Sequence, residues 1–260
     1  MRSELNIAKE AAIEAGGIIL NYYKADYEIQ EKSYHNPVTT ADREADARVK
    51  EILLEERPDY GWLSEETVDS QERLNKEHVW VVDPLDGTKE FIEGVPHFVV
   101  SIALVEGGQP TIGVLYNPVT GETFTAAQDE GAYLNGEPIH CVTKENVSEM
   151  VILNSRSETR QGLWVPYVGI FGELRAIGSV AYKLGLTAAG QADIFASLRP
   201  KSEWDICAGT CIIREAGGKV IDLNGNNISF NQKQIRIEPG LIAGDIQAVD
   251  KAYKVFIANT

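Results

Sequence analysis

Residues 80–92, WVVDPLDGTKEFI, constrain this chain more than any other stretch. The apolar run at 79–82 reads as a buried strand, and Asp83-Pro84-Leu85-Asp86-Gly87-Thr88 reads as the turn that ends it and opens a helix. Asp83 and Asp86 stand three residues apart at that turn, so both carboxylates can converge on one hard cation. Gly87 lets the backbone pass close to a ligand, and the amides of Gly87 and Thr88 would face an anion where the helix begins. Asp-Gly is also a common surface turn pair, so the motif acquires meaning only from what surrounds it.

A chain of 260 residues is long enough to bury a full core as one large domain or as two packed halves. Its 43% hydrophobic and 24% charged residues are those of a globular protein. The formal net charge of −15 argues against a nucleic-acid polymer or an anionic membrane as partner. A phosphorylated substrate would need local neutralisation, which divalent cations held by carboxylates supply. No run approaches the roughly 20 apolar residues of a membrane span, and residues 11–20 contain Glu14 and read as an amphipathic helix rather than a signal peptide. The expected location is the cytoplasm. Three cysteines, Cys141, Cys207 and Cys211, are an odd number and fit reduced thiols, the last two as buried small hydrophobes on a helix.

Leu5, Ala8, Ala12, Ala15 and Ile19 recur at helical spacing and predict a first helix to about Tyr23. A short strand at 28–31 and a loop at 33–38 follow, and Thr39 or Thr40 then caps a helix whose inner face is Ala45, Val49, Ile52 and Leu53. Asp42 sits in its first turn, as a cap residue or as a carboxylate beside the cation site. Of the adjacent pair Glu65-Glu66, only one can point inward from an extended chain, and Glu65 is the candidate. Apolar runs at 97–105, 111–116, 122–127 and 132–134, separated by Gly- and Pro-rich turns, predict an antiparallel meander. The second half alternates short strands near 150–153, 174–177, 193–196, 219–221 and 241–243 with helices near 179–190, 205–216 and 245–256. That rhythm implies a second sheet covered by helices, with the halves about 1–140 and 141–260 packed as one body around a cleft. Asp205 lies at the start of one of those helices, where an N-cap acid is also common. His35, His78, His97 and His140 lack metal-ligand spacing, and neither a G-x-S-x-G elbow nor a G-x-x-x-x-G-K-[ST] loop is present.

With VTTAD at 38–42, SEE at 64–66, DPLDGT at 83–88, WD at 204–205 and AGTCIIREAGG after it, the chain resembles the inositol monophosphatase superfamily of magnesium-dependent, lithium-sensitive phosphatases over nearly its whole length. The resemblance implies a layered α/β (α+β) fold, an α-β-α-β-α sandwich with an N-terminal antiparallel sheet and a C-terminal mixed sheet. It also implies that Glu65, Asp83 and the Leu85 carbonyl hold one Mg²⁺ while Asp83, Asp86 and Asp205 hold a second, with a third, weaker ion near Glu65. Gly87 and Thr88 would hold the phosphate, and Thr88 with Asp42 would position or deprotonate the attacking water. Oxygen ligands suit Mg²⁺, and Mn²⁺ accepts the same set.

Within the superfamily, Lys89-Glu90-Phe91 after the core motif and Asn154-Ser155-Arg156-Ser157 resemble the 3'(2'),5'-bisphosphate nucleotidase branch, and Arg199 and Lys201 precede Trp204-Asp205 as basic residues do there. This implies hydrolysis of 3'-phosphoadenosine 5'-phosphate, with Ser155, Arg156, Arg199, Lys201 and Asp205 on the substrate side. Glu158 replaces a histidine of that branch, and residues 94–98, GVPHF, look more like the inositol or histidinol-phosphate branches. Inositol 1-phosphate is therefore the alternative substrate, followed by histidinol phosphate and fructose 1,6-bisphosphate. Outside enzymes, the alternative is a phosphate-binding regulatory protein. Relatives occur as monomers and as homodimers.

Overall fold

The structure, a computed structural model, describes residues 3–33 and 36–259. The apolar run ending at Val82 belongs to a strand sandwiched between two cores. Trp80 and Val82 pack on one side with Val100, Ile102 and Val114, whereas Val79 and Val81 pack on the other with Val99, Ala103 and Leu115. A strand covered on both faces needs apolar residues at every position, which is why the run does not alternate. The sheet has the order β3(Gly61–Ser64), β4(His78–Asp86), β5(Val99–Glu106), β6(Gln109–Asn117), β7(Glu122–Ala127), β8(Gly131–Leu134) and β9(Glu137–Ile139). The expected meander is present from β4 onward, but β3 pairs with β4 in parallel.

Helices α1(Glu4–Tyr22) and α2(Thr40–Glu56) cover one face. Ala8, Ala11, Ala12 and Ala15 on α1 meet Ala41 and Ala45 on α2, and these small side chains let the helices lie close together. A hairpin precedes α2, with β1(Ile29–Ser33) antiparallel to β2(Asn36–Thr39). The loop expected at 33–38 is thus largely strand, and Pro37 fits it because this two-stranded sheet is all edge. Residues 34 and 35, His35 among them, lie outside the described residues.

On the other face lie α5(Val180–Ala188) and α6(Glu203–Glu215), which also cover the second sheet, ordered β11(Glu173–Ile177), β10(Val151–Ser155), β12(Ile194–Ser197), β16(Leu241–Asp245), β14(Gly218–Asp222). β10 runs parallel to β11 and β12, and β16 runs antiparallel to β12 and β14, so the sheet is mixed. Its outer face packs Ile152, Ile194 and Ile242 against Ala248, Val249 and Phe256 of α7(Ile246–Ala258). The layers are therefore helix, sheet, helix, sheet, helix. Gly113 sets the central spacing: a Cβ there would come within 2.4 Å of the Ala208 carbonyl oxygen, so only glycine lets α6 settle on β6. Cys207 and Cys211 are buried in this central core, where burial pushes the Cys211 thiol up to about 12 and the Cys207 thiol well above its usual range.

Candidate active site

Strand β4 does not stop at Val82. It continues to Asp86 through an irregularity in which Asp83 faces Ser101 and Asp86 faces Val99, so that two residues, Pro84 and Leu85, stand against one, Val100, on the neighbouring strand. Pro84 has no N–H to give the ladder, and the Leu85 amide donates instead to the Asp83 carboxylate at 3.0 Å. The expected turn is thus a bulge inside the sheet, and it delivers both aspartates to the same end of the strand. Gly87 follows with φ 107°, and a Cβ there would stand 2.7 Å from the His97 carbonyl oxygen, so the position requires glycine twice over. The helix it opens, α3(Thr88–Ile92), is a single turn.

The parallel pairing of β3 accounts for Glu65. Ser64 lies opposite Val82, and the Glu65 amide donates to the Val82 carbonyl at 3.2 Å, which sets Glu65 beside Asp83. The turn is fastened from below by buried Asp46, which accepts from the hydroxyls of Ser64 (2.5 Å) and Thr67 (2.8 Å). Asp205 arrives from the opposite layer, on the third residue of α6, where its carboxylate accepts the Ser202 amide at 2.9 Å. It closes a capping box rather than standing at the N-cap. Glu65, Asp83 and Asp205 each bring a carboxylate oxygen within 4.8 Å of the others. Asp86 stands beside them with one oxygen held by the Ser179 hydroxyl and the Ala181 amide, both at 2.5 Å.

Such crowding is costly without a cation. Burial, followed by the charges of Glu65, Asp86 and Asp205, holds the Asp83 carboxyl well above the usual range. Burial pushes Asp205 to about 7, with Asp86 and Glu65 adding to it. Asp86 rises to about 6, burial again leading, with the Ser179 hydroxyl, the Ala181 amide and Lys183 opposing. Two buried carboxylates, Asp83 and Asp86, beside two half-buried ones, Glu65 and Asp205, with only oxygen ligands among them, suit a hard divalent ion, which would restore their ionised forms.

Asp42 serves two purposes. One carboxylate oxygen accepts the amide (2.7 Å) and hydroxyl (2.5 Å) of Thr39, completing the cap of α2, while the other accepts the Thr88 hydroxyl at 2.9 Å. Burial raises its pKa against these bonds. Thr88 also lies 3.1 Å from the Leu85 carbonyl oxygen.

Asp83, Asp86, Glu65, Leu85, Gly87, Thr88 and Asp205 all line one cleft of about 730 Å³. Ser155, Arg156 and Lys201 line it too. Arg199 does not; it is exposed in the turn before β13(Lys201–Ser202), where its carbonyl oxygen lies 3.1 Å from the Ser197 hydroxyl. The cleft's other basic residues are Lys89, Arg160, Lys183 and Arg236. Arg236 is brought in by β15(Arg236–Ile237) pairing with β13, a contact of two residues on each side that sequence periodicity cannot reveal. Arg156, on the single-turn helix α4(Arg156–Arg160), pairs with Glu90 at 2.9 Å and Glu93 at 2.7 Å. The KEF and SRS segments therefore meet face to face. Glu158 is buried, accepting Ser197, Trp164 and the Leu198 amide, and stands 3.9 Å from Lys201. It supports the wall that carries Lys201 rather than facing a ligand alone. Ser179 and Lys183 are not evident from the sequence; Ser179 carries only the signal of an N-cap serine before a helical run.

The inositol monophosphatase family matches residues 1–253. The chain belongs to that family. The Nus factor SuhB of Pasteurella multocida is 35% identical over 236 residues, covering 87% of this chain and 88% of that protein. An inositol monophosphatase of Mesembryanthemum crystallinum is 32% identical over 248 residues, covering 92% of each. Among solved structures, the Thermotoga maritima IMPase superposes with a TM-score of 0.87 at 27% identity, covering 98% of this chain and 97% of that one. The family is one of metal-dependent phosphatases acting on small phosphate substrates, and the layered fold is the family's own. No helix among the described residues is long and apolar enough to cross a membrane.

Proposed function

We propose that this chain, acting as one catalytic body of residues 1–260, hydrolyses the 3'-phosphate of 3'-phosphoadenosine 5'-phosphate, giving AMP and inorganic phosphate. The carrying observation is charge placement: in a protein of net charge −15, six basic residues, Lys89, Arg156, Arg160, Lys183, Lys201 and Arg236, line the cleft that holds the acidic cluster. A cleft of about 730 Å³ suits a nucleotide-sized ligand.

In this reading Glu65, Asp83, the Leu85 carbonyl, Asp86 and Asp205 hold Mg²⁺. The bound metal supplies an activated water and neutralises charge on the phosphate and leaving oxygen. The chain's own part is positioning: Gly87 and Thr88 present backbone amides to the phosphate. Thr88, whose hydroxyl donates to Asp42, would accept the water's proton while passing its own to the Asp42 carboxylate as the new P–O bond forms, and the ester oxygen would leave with a proton from solvent water as its P–O bond breaks.

The second phosphate falls to Lys201, Arg236 and Arg160. Arg156 is already compensated by two carboxylates, and Arg199 lies outside the cleft, so neither is a free anion receptor. A charged hydrogen bond of about 1.5–3 kcal/mol corresponds to roughly 10–100-fold. Arg236→Ala and Lys201→Ala are expected to lower kcat/KM for 3'-phosphoadenosine 5'-phosphate by at least about 10-fold, with changes below about 2-fold on inositol 1-phosphate. Arg199→Ala should alter neither. Equal losses on both substrates would remove the second-phosphate role. The second reading, inositol 1-phosphate hydrolysis, is favoured by the name of the plant relative, and a wild-type preference for inositol 1-phosphate would establish it instead.

A further inference from the structure

Lys183 is a lysine that solvent hardly reaches, 2% exposed on the inner face of α5. Its ammonium donates to three consecutive backbone carbonyls, those of Ile177 and Gly178 at 3.2 Å and that of Ser179 at 2.5 Å. An ammonium has three hydrogens, so these bonds use all of them. The ring of Phe195, 5.5 Å from the nitrogen, lies against the same group. Lys183 is thus unlike Lys201 or Arg236: its donors are spent on the chain itself.

The segment it holds has one other task. Ser179 has φ 54°, a left-handed value that costs a β-carbon residue about 1 kcal/mol or more and persists only where the surroundings enforce it. In that conformation its hydroxyl accepts the Tyr182 amide at 3.0 Å, capping α5, and donates to Asp86. The Ala181 amide, two residues on, donates to the same carboxylate oxygen. Three carbonyls converging on one buried point would repel each other without a cation between them, and an unsatisfied buried carbonyl costs about 1–3 kcal/mol. Remove the ammonium and the segment gains by turning its carbonyls away, carrying Ser179 off Asp86.

We propose that Lys183 is a positioning residue for the acidic centre: by gathering the carbonyls of Ile177, Gly178 and Ser179 it fixes the Ser179 hydroxyl and Ala181 amide on one oxygen of Asp86, and so fixes the orientation in which Asp86 meets a cation. The inference rests on the reading of Asp86 as a metal-holding carboxylate. Groups that orient ligand carboxylates typically change metal affinity by 10–100-fold when removed.

The test is calorimetric titration of Mg²⁺ into the whole chain, its Lys183→Met and Ser179→Ala variants, and the double variant, with kcat and KM measured at saturating Mg²⁺. Lys183→Met is expected to weaken Mg²⁺ binding by at least about 10-fold, Ser179→Ala by a similar factor, and the double variant by no more than about 3-fold beyond either single, because both act through one contact. At saturating Mg²⁺, kcat should recover far more than the affinity does. Wild-type affinity in a folded Lys183→Met protein, or losses that multiply in the double variant, would overturn the proposal. Should Lys183→Met fail to fold, Ser179→Ala alone decides: an unchanged affinity overturns the relay. Absence of Mg²⁺ binding by the unaltered protein would overturn the metal reading of Asp86 itself, an outcome distinct from binding that the variants leave untouched.

Discussion

Asp83→Asn is expected to lower kcat by about 10³-fold or more while making the metal-free protein harder to unfold. The two effects have one cause. Asp83 sits at the centre of the crowd formed by Glu65, Asp86 and Asp205, and these charges together with burial hold its carboxyl well above the usual range. A neutral side chain of the same shape keeps an acceptor for the Leu85 amide yet removes the repulsion, so the fold gains. The same change removes a charge from the set of carboxylates that would hold Mg²⁺, so turnover is lost. Phosphate release and thermal unfolding in chelator, measured on the same preparation, check both halves. Near-normal turnover would discard the mechanism, and a lower melting temperature in chelator would show that Asp83 is held chiefly as a structural acceptor.

The second large effect is a reversed dependence of stability on pH. Asp86 at about 6, Asp205 at about 7 and Glu203 at about 7 all have folded pKa values above those of an unfolded chain, and burial leads in each case. For such groups the folded state prefers the proton, so their stabilising contribution is complete below the ordinary carboxylate range near 4 and is lost as pH rises through 6 to 7. Glu4 and Glu173, held low with help from Arg57 and Arg175, act in the opposite sense but only as pH falls below that range. A tenfold difference in proton affinity between folded and unfolded chain is worth about 1.4 kcal/mol, and a domain of this size moves about 2–4 °C per kcal/mol. The metal-free protein should therefore melt on the order of 10 °C higher at pH 5 than at pH 8. Saturating Mg²⁺ should flatten or invert that slope, because the ion binds the deprotonated carboxylates. Differential scanning calorimetry in chelator and in Mg²⁺ measures it; a metal-free protein that is more stable at pH 8 would contradict the picture of a crowded acid cluster.

The site is legible in the sequence in proportion to how locally it is built. Asp83, Asp86, Gly87 and Thr88 come from one bulge, and their spacing alone suggests a cation and a phosphate. Glu65 needs a step that patterning does not give: it meets Asp83 because β3 runs parallel to β4, whereas apolar runs suggest antiparallel neighbours. The layers follow from the change of rhythm near residue 150, since a meander of short strands and an alternation of strands with helices bury their faces differently. The hairpin of β1 and β2 is hidden by Pro37, which reads as a loop residue until the strand is known to be an edge. Lys183 is hidden for a different reason. A lysine in a helix normally keeps its ammonium in water, and here the three carbonyls of residues 177–179, which take all its hydrogens, make its burial tolerable. Arg199 and Arg236 show the same limit in reverse: the nearby arginine lies outside the cleft, and one 37 residues further along enters it through a two-residue strand pairing.

The most direct test of metal-dependent phosphate hydrolysis is phosphate release by the chelator-stripped 260-residue chain across a series of Mg²⁺ concentrations, with 3'-phosphoadenosine 5'-phosphate and inositol 1-phosphate as parallel substrates. The expected result is no release without metal, release that rises with Mg²⁺ occupancy measured on the same sample, and a higher kcat/KM for the bisphosphate. Hydrolysis that persists in chelator, or occupied Mg²⁺ sites with neither substrate cleaved, would contradict it.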